Sequence, residues 1–165
     1  MPPTQRKGAS PLFLREAEIR RGIELLYFGY SHLNRAVDDQ LHKEGLGRAH
    51  QRALYFIARQ PGLTVSDLLK LLGITKQSLG RVINDLTSRD MVETAQGRSD
   101  RRQRLLRLTA TGSAFEGRLF NILREKLGLA YAEAGQNAVS GFWKVLEGLI
   151  AEEEIARVIA LQRGD

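Results

Sequence analysis

Between residues 61 and 89 the chain is punctuated so closely that little fits except a short helix, a tight turn and a second short helix. Pro61-Gly62 stops the helical pattern of residues 48–59, in which Ala53, Leu54 and Ile57 face inward. Thr64-Val-Ser-Asp67 then supplies an N-cap with an acid three residues on, and Leu68, Leu69, Leu71 and Leu72 give the helix its apolar side. Gly73 closes it. Thr75 is placed to cap the next helix, near residues 75–89, whose buried side carries Leu79, Val82, Ile83 and Leu86. Two short helices joined by a glycine-containing turn make a helix-turn-helix. Met91–Thr94 and Arg104–Leu108 follow as strand candidates around a polar tip, which adds a hairpin, or wing.

Long helical patterns flank this unit. From Leu12 to about Glu44, residues Ile19, Ile23, Leu26, Tyr30, Leu33, Val37 and Leu41 recur in steps of three and four, one continuous apolar stripe. Beyond residue 112, Phe115, Leu119, Ile122, Leu123, Leu127, Ala130 and Tyr131 keep the same rhythm. So do Val139, Phe142, Trp143, Leu146, Leu149 and Ile150, continued by Ile155, Val158 and Ile159. A helix of this kind cannot bury its stripe alone, and the pattern predicts a helical dimer interface rather than a second catalytic domain. The expected fold is mostly α, an α+β winged helix. It divides into a disordered basic tail over 1–11, an N-terminal dimerisation helix over 12–44, a winged helix-turn-helix module over 45–112, and C-terminal dimerisation helices over 113–165.

The net charge of +6 is a weak guide to a partner, because many proteins are basic for no functional reason. Its placement says more. Between Thr75 and Arg107 stand eight basic and four acidic residues, so most of the excess lies on the second helix and the hairpin, where phosphates would be met. Removing the buried set from the helix leaves Thr75, Lys76, Gln77, Ser78, Gly80, Arg81 and Asn84 exposed. Gln and Asn pair with adenine edges, Arg with guanine and Ser with several bases. The first residues of such a helix point into the major groove of double-stranded DNA. Gln77, Ser78 and Arg81 are therefore expected at base edges and Lys76 at phosphate. The tip, Gly97-Arg-Ser-Asp-Arg-Arg102, offers Arg98, Arg101 and Arg102, with Arg104 behind them. Arginines there suit the negative potential of a narrow minor groove. Asp100 is expected to hold the Arg102 guanidinium by a charge-assisted hydrogen bond. The bland reading, a solvated helix face and an exposed turn, loses weight because the two occur together.

At this point the chain resembles the MarR family of bacterial transcriptional regulators. The likeness runs from about Leu46 to Gly112. It rests on the Pro61-Gly62-Leu63-Thr64 turn, Ile74-Thr-Lys-Gln-Ser-Leu-Gly-Arg81, Asp90-Met-Val-Glu93, and Asp100-Arg-Arg102 leading into Leu106-Arg-Leu-Thr109-x-x-Gly112. The resemblance implies an obligate homodimer built from the terminal helices, a pseudopalindromic operator, an Arg102 wing contact, and repression as the mode. Gly80 stands where a Ser or Thr is usual, which removes one polar contact. Many relatives hold a small anionic or aromatic effector between the dimer helices and the module. Tyr27, Tyr30, Arg35, His50 and Tyr55 are the candidates to line such a pocket here, although core packing explains the same residues. Regulation by a protein partner, or by abundance alone, stays open.

Other functions find less in the sequence. The chain has no cysteine, which removes disulfides, thiolate metal sites and a thiol-based peroxide sensor. No apolar run approaches the roughly 20 residues of a membrane span, and no apolar stretch follows the basic N-terminus as in a signal peptide, so a cytoplasmic protein is expected. Gly45-Leu-Gly47 is too short for a phosphate loop, and His32, His42 and His50 lack zinc spacing; Glu152-Glu-Glu154 reads as a solvated face. No enzyme, metal or cofactor is expected. The competing reading is a winged-helix module for protein or RNA. Its discriminator is the exposed helix face, which is polar and basic rather than apolar, and the deep, narrow major groove of duplex RNA excludes a helix.

Overall fold

The structure, a computed structural model, describes residues 10–162. The expected tail over 1–11 therefore falls almost wholly outside the described residues; of it, Ser10 is seen capping a 3-10 turn at Pro11–Leu14.

The single helix expected over 12–44 is broken. After the 3-10 turn, α1 runs Glu16–Arg35 and α2 runs Asp38–Lys43. The break redirects the chain. Val37 and Leu41 leave the outer stripe and enter the core, each 1% exposed. The start of α2 is pinned to α3 (Arg48–Arg59), where Arg48 donates to the two Asp38 oxygens at 3.4 and 3.1 Å. That bond holds the Asp38 carboxyl below its ordinary range.

The helix-turn-helix forms where its punctuation stands. The Thr64 hydroxyl accepts from the Asp67 N–H and starts α4 (Val65–Leu72), which ends at Gly73. The Thr75 hydroxyl accepts from the Ser78 N–H and starts α5 (Lys76–Ser88). Leu79, Val82, Ile83 and Leu86 are all buried, as their spacing predicts. The hairpin is β2 (Val92–Gln96) and β3 (Arg104–Leu108), and it gains a third, unforeseen strand, β1 (Leu63–Thr64). The sheet is antiparallel in the order β1-β3-β2, with Leu63 opposite Leu106 and Val92 opposite Leu108. Two residues are too few to show a period of two.

From Thr109, whose hydroxyl accepts from the Gly112 N–H, the chain enters α6 (Ala110–Ala134), followed by α7 (Gln136–Glu147) and α8 (Glu152–Gln162). Gly112 lies against the hairpin: a β-carbon added there would stand 1.9 Å from the Met91 carbonyl oxygen. No side chain fits. α7 folds back on α6, with the Trp143 Nε1–H donating to the Tyr131 hydroxyl at 3.0 Å. α8 reaches the end of α3, where the Arg59 guanidinium donates to the Leu161 carbonyl.

One core serves the described chain. Leu54, Ile57, Leu68, Leu79, Leu86, Leu106, Phe115 and Leu119 fill its centre, and every buried apolar residue lies between Val37 and Leu119. None of the residues of α1, α7 or α8 is buried.

Candidate nucleic-acid interface

With its four apolar residues committed to the core, α5 presents Lys76, Gln77, Ser78, Gly80, Arg81 and Asn84 to solvent. Thr75 is exposed as well, but its hydroxyl is engaged: it accepts from the Ser78 N–H and donates to the Ser78 oxygen at 2.9 Å. Thr75 thus acts first as the cap of the helix, and Ser78 keeps its hydroxyl proton for another acceptor. Nothing lies within 4 Å of the place a Gly80 β-carbon would take, so that part of the face is open backbone.

The wing tip is built by backbone rather than by an ion pair. The Gly97 N–H donates to the Gln103 carbonyl, and the Gln103 N–H to the Asp100 carbonyl, at 2.9 and 3.1 Å. A β-carbon on Gly97 would stand 2.6 Å from the Asp100 carbonyl oxygen, so the turn closes only around glycine. The expected bond from Asp100 to the Arg102 guanidinium is not formed; Asp100 bonds the Arg102 main chain instead. Its carboxylate accepts from the Arg102 backbone N–H at 2.9 Å, an Asx turn, and leaves the guanidinium unheld. The reason is reach: a carboxylate two residues back meets the main chain before the end of a long side chain. Arg98, Arg101 and Arg102 are exposed at the tip. Arg104 opens β3 opposite Gln96, and its guanidinium is 3.5 Å from the Thr94 hydroxyl, which turns it back along the hairpin.

The residues grouped as pocket candidates separate. Tyr30 and Tyr55 line one cavity of about 460 Å³ between α1, α3 and α6, together with Arg52, Phe120, Arg124 and Tyr131. Tyr27 and Arg35 are exposed on α1 and His50 serves another purpose; none of the three lines this cavity. His50 is the third residue of α3. Its Nδ1 accepts from the Gly47 N–H at 3.1 Å, which places the proton on Nε2, 2.9 Å from an Asp85 oxygen on α5. A capping histidine and a carboxylate 35 residues away thus join α3 to α5. Sequence reading had counted Asp85 only as a charge. It had also passed over Arg52, which donates to the Leu72 carbonyl at the end of α4. Neither link has a local signal, because both partners lie on different helices. Among the described residues, no group of three or more His, Asp or Glu side chains is placed to hold a metal.

Comparison with known proteins agrees with this geometry. The profile of the MarR family matches residues 44–103. The chain is 43% identical over 143 residues to the HTH-type transcriptional regulator PetP of Rhodobacter capsulatus, covering 87% of this chain and 86% of that protein. Among solved structures, a MarR mutant from E. coli complexed with operator DNA superposes with a TM-score of 0.65 at 21% identity, covering 86% of this chain and all, 100%, of that one. A MarR-family transcriptional regulator from Silicibacter pomeroyi gives a TM-score of 0.68 at 18% identity, over 86% of this chain and 94% of the other.

Proposed function

Because the chain belongs to the MarR family of winged-helix transcriptional regulators, a family of regulators and not of enzymes, we propose that it binds a pseudopalindromic DNA operator as a homodimer. The observation that carries this reading is the exposed face of α5, free of large apolar side chains and carrying Lys76, Gln77, Ser78, Arg81 and Asn84, mounted on a packed core and followed by a tip of three exposed arginines. α5 enters the major groove, where Gln77, Ser78, Arg81 and Asn84 meet base edges, while Lys76 and the N-cap Thr75 lie against phosphate. Arg98, Arg101 and Arg102 take the flanking minor groove, with Asp100 shaping their turn and Arg104 at its base. That the E. coli MarR mutant of the same fold is complexed with operator DNA supports DNA as the partner.

The second copy of this chain covers the apolar faces that one copy leaves open. Ile19, Ile23 and Leu26 on α1 and Phe142 and Trp143 on α7 are all exposed in the single chain. Two-fold symmetry then sets half-site centres about 10 bp apart. The regulator works where chromosomal DNA is, in the cytoplasm, and acts as a repressor, a mode supported by family resemblance. The cavity between α1, α3 and α6 takes a small anionic or aromatic effector: Tyr30, Tyr55, Phe120 and Tyr131 supply rings, and Arg52 and Arg124 supply charge. No apolar anchor lies on the exposed face of α5, so a protein- or RNA-binding reading gains no support.

Selection of bound sequences from a random DNA pool tests the proposal. A two-fold symmetric consensus with half-sites one helical turn apart is the expected result. Enrichment of an asymmetric site, or no enrichment, overturns it.

A further inference from the structure

Asp85 is the one acid of α5, and it stands in an awkward place for a helix that meets DNA. It follows Asn84 directly and Arg81 by four residues, so its carboxylate shares that side of the helix with the Arg81 guanidinium. Its side chain is 52% exposed. A loose carboxylate there would repel phosphate and compete for Arg81, the side chain assigned above to a base edge. The structure does not leave it loose. One Asp85 oxygen is 2.9 Å from the Nε2 of His50, whose side chain is only 15% exposed.

The direction of that bond is set at the other side of the ring. Nδ1 accepts from the Gly47 N–H at the start of α3, so the proton stands on Nε2 and points at Asp85. A neutral imidazole has one donor and one acceptor, and both are in use. The flanking cations differ. Arg89, four residues beyond Asp85, is turned to the loop between α2 and α3, its Nη2 3.5 Å from where a Gly45 β-carbon would stand. Arg81 is exposed and, among the described residues, has no hydrogen-bond or ion-pair partner. Side chains of a helix lean toward its N-terminus, so a released Asp85 leans toward Arg81.

We infer that His50 is a positioning residue for base reading: by holding the Asp85 carboxylate it keeps the Arg81 guanidinium free for DNA. This rests on Arg81 lying at a base edge, as proposed above. A plain strut between α3 and α5 would use the same bond, but the two roles differ in sign. If the bond only braces α5, removing either partner harms binding alike. If it restrains a harmful carboxylate, removing the histidine harms binding and removing the carboxylate does not.

The test is a double-mutant cycle in the full chain, read on the selected operator and on operators altered at the position that Arg81→Ala relaxes. His50→Ala should weaken operator binding about fivefold and relax preference at that position, because phosphate repulsion adds to an i,i+4 pair. Asp85→Ala should bind at least as tightly as the natural chain. The double variant should match Asp85→Ala in affinity and in preference. Should His50→Ala melt below the assay temperature, His50→Glu takes its place in the cycle with the same outcome expected. It keeps an acceptor for the Gly47 N–H, as in a capping box, and gives Asp85 no donor.

Equal losses in both single variants and in the double make the pair a strut and overturn the inference. A double variant as weak as His50→Ala assigns the loss to the α3 cap and overturns it too, as does a His50→Ala that binds like the natural chain. If Arg81→Ala in the otherwise natural chain costs the same on operator and random DNA, the base-edge reading of Arg81 falls and takes this inference with it.

Discussion

The reader module and the helices outside it draw on the same apolar residues and treat them in opposite ways. Between Val37 and Leu119 no large apolar side chain is exposed, whereas Phe13, Ile23, Phe28, Leu129 and Trp143, all outside that span, are at least 45% exposed. α6 belongs to both regions: Phe115 and Leu119 are buried in its first half, and Leu129 is 74% exposed in its second. Helical spacing is equally regular on both sides of the divide. An apolar stripe therefore specifies that a face will be covered, and says nothing about which chain covers it. At about 1.5–3 kcal/mol for each large apolar side chain removed from water, the outer helices have far more to gain from a second copy than from solvent.

The comparison breaks most easily at α1. Ile23→Glu combined with Leu26→Glu places two charges on the stripe without touching the core. Sedimentation should show a monomer with a folded module, and operator affinity should fall by about 100-fold or more as the link between two half-site contacts is lost. A natural chain that is already monomeric at micromolar concentration would remove the premise. The opposite change is Gly112→Ala, which forces a methyl into the Met91 carbonyl and should cost about 3 kcal/mol in thermal unfolding. A midpoint within a degree of the natural chain would mean that the α6–hairpin junction is soft.

Changes on the exposed face sharpen the comparison without disturbing either core. Arg81→Ala should cost roughly 1–3 kcal/mol on the operator and relax one base position per half-site. Equal losses on operator and random DNA would assign Arg81 to phosphate. Arg102→Ala should weaken binding at A·T-rich flanks and reduce the slope of affinity against salt by about 1. An unchanged slope would take the wing out of the mechanism.

The smallest expected effect lies at the α2–α3 seam. Arg48 holds the Asp38 carboxyl below its ordinary value. Its contribution to stability is therefore present above the unfolded pKa, about 3.9, and is lost as pH falls through the lower folded value. Asp38→Asn should lower the thermal midpoint slightly near neutral pH, and the difference should vanish in strong acid. A difference that persists in acid would trace to packing instead.

What was legible in the sequence follows from the range of each signal. Caps, turns and periodicity act over three or four residues, so Thr64, Gly73, Thr75 and the buried side of α5 were readable to within a residue. The wing turn was located, but the Asp100 bond was assigned to the wrong atoms of Arg102, since sequence shows proximity and not direction. β1 was too short to register. The helix over 12–44 was read through its break because Val37 and Leu41 continue the stripe in register while the backbone turns away. His50–Asp85 and Arg52–Leu72 join helices whose packing no spacing encodes.

That break also decides where the reader can be cut from the rest. Val37 and Leu41 belong to the core although they stand ahead of the helix-turn-helix, and Phe115 and Leu119 belong to it although they stand on a long outer helix. A graft of this reader onto a foreign dimerisation scaffold has to carry α2 and the first half of α6 with it. Splicing at residue 45, where the helical stripe ends, would move the right recognition surface and leave part of its foundation behind.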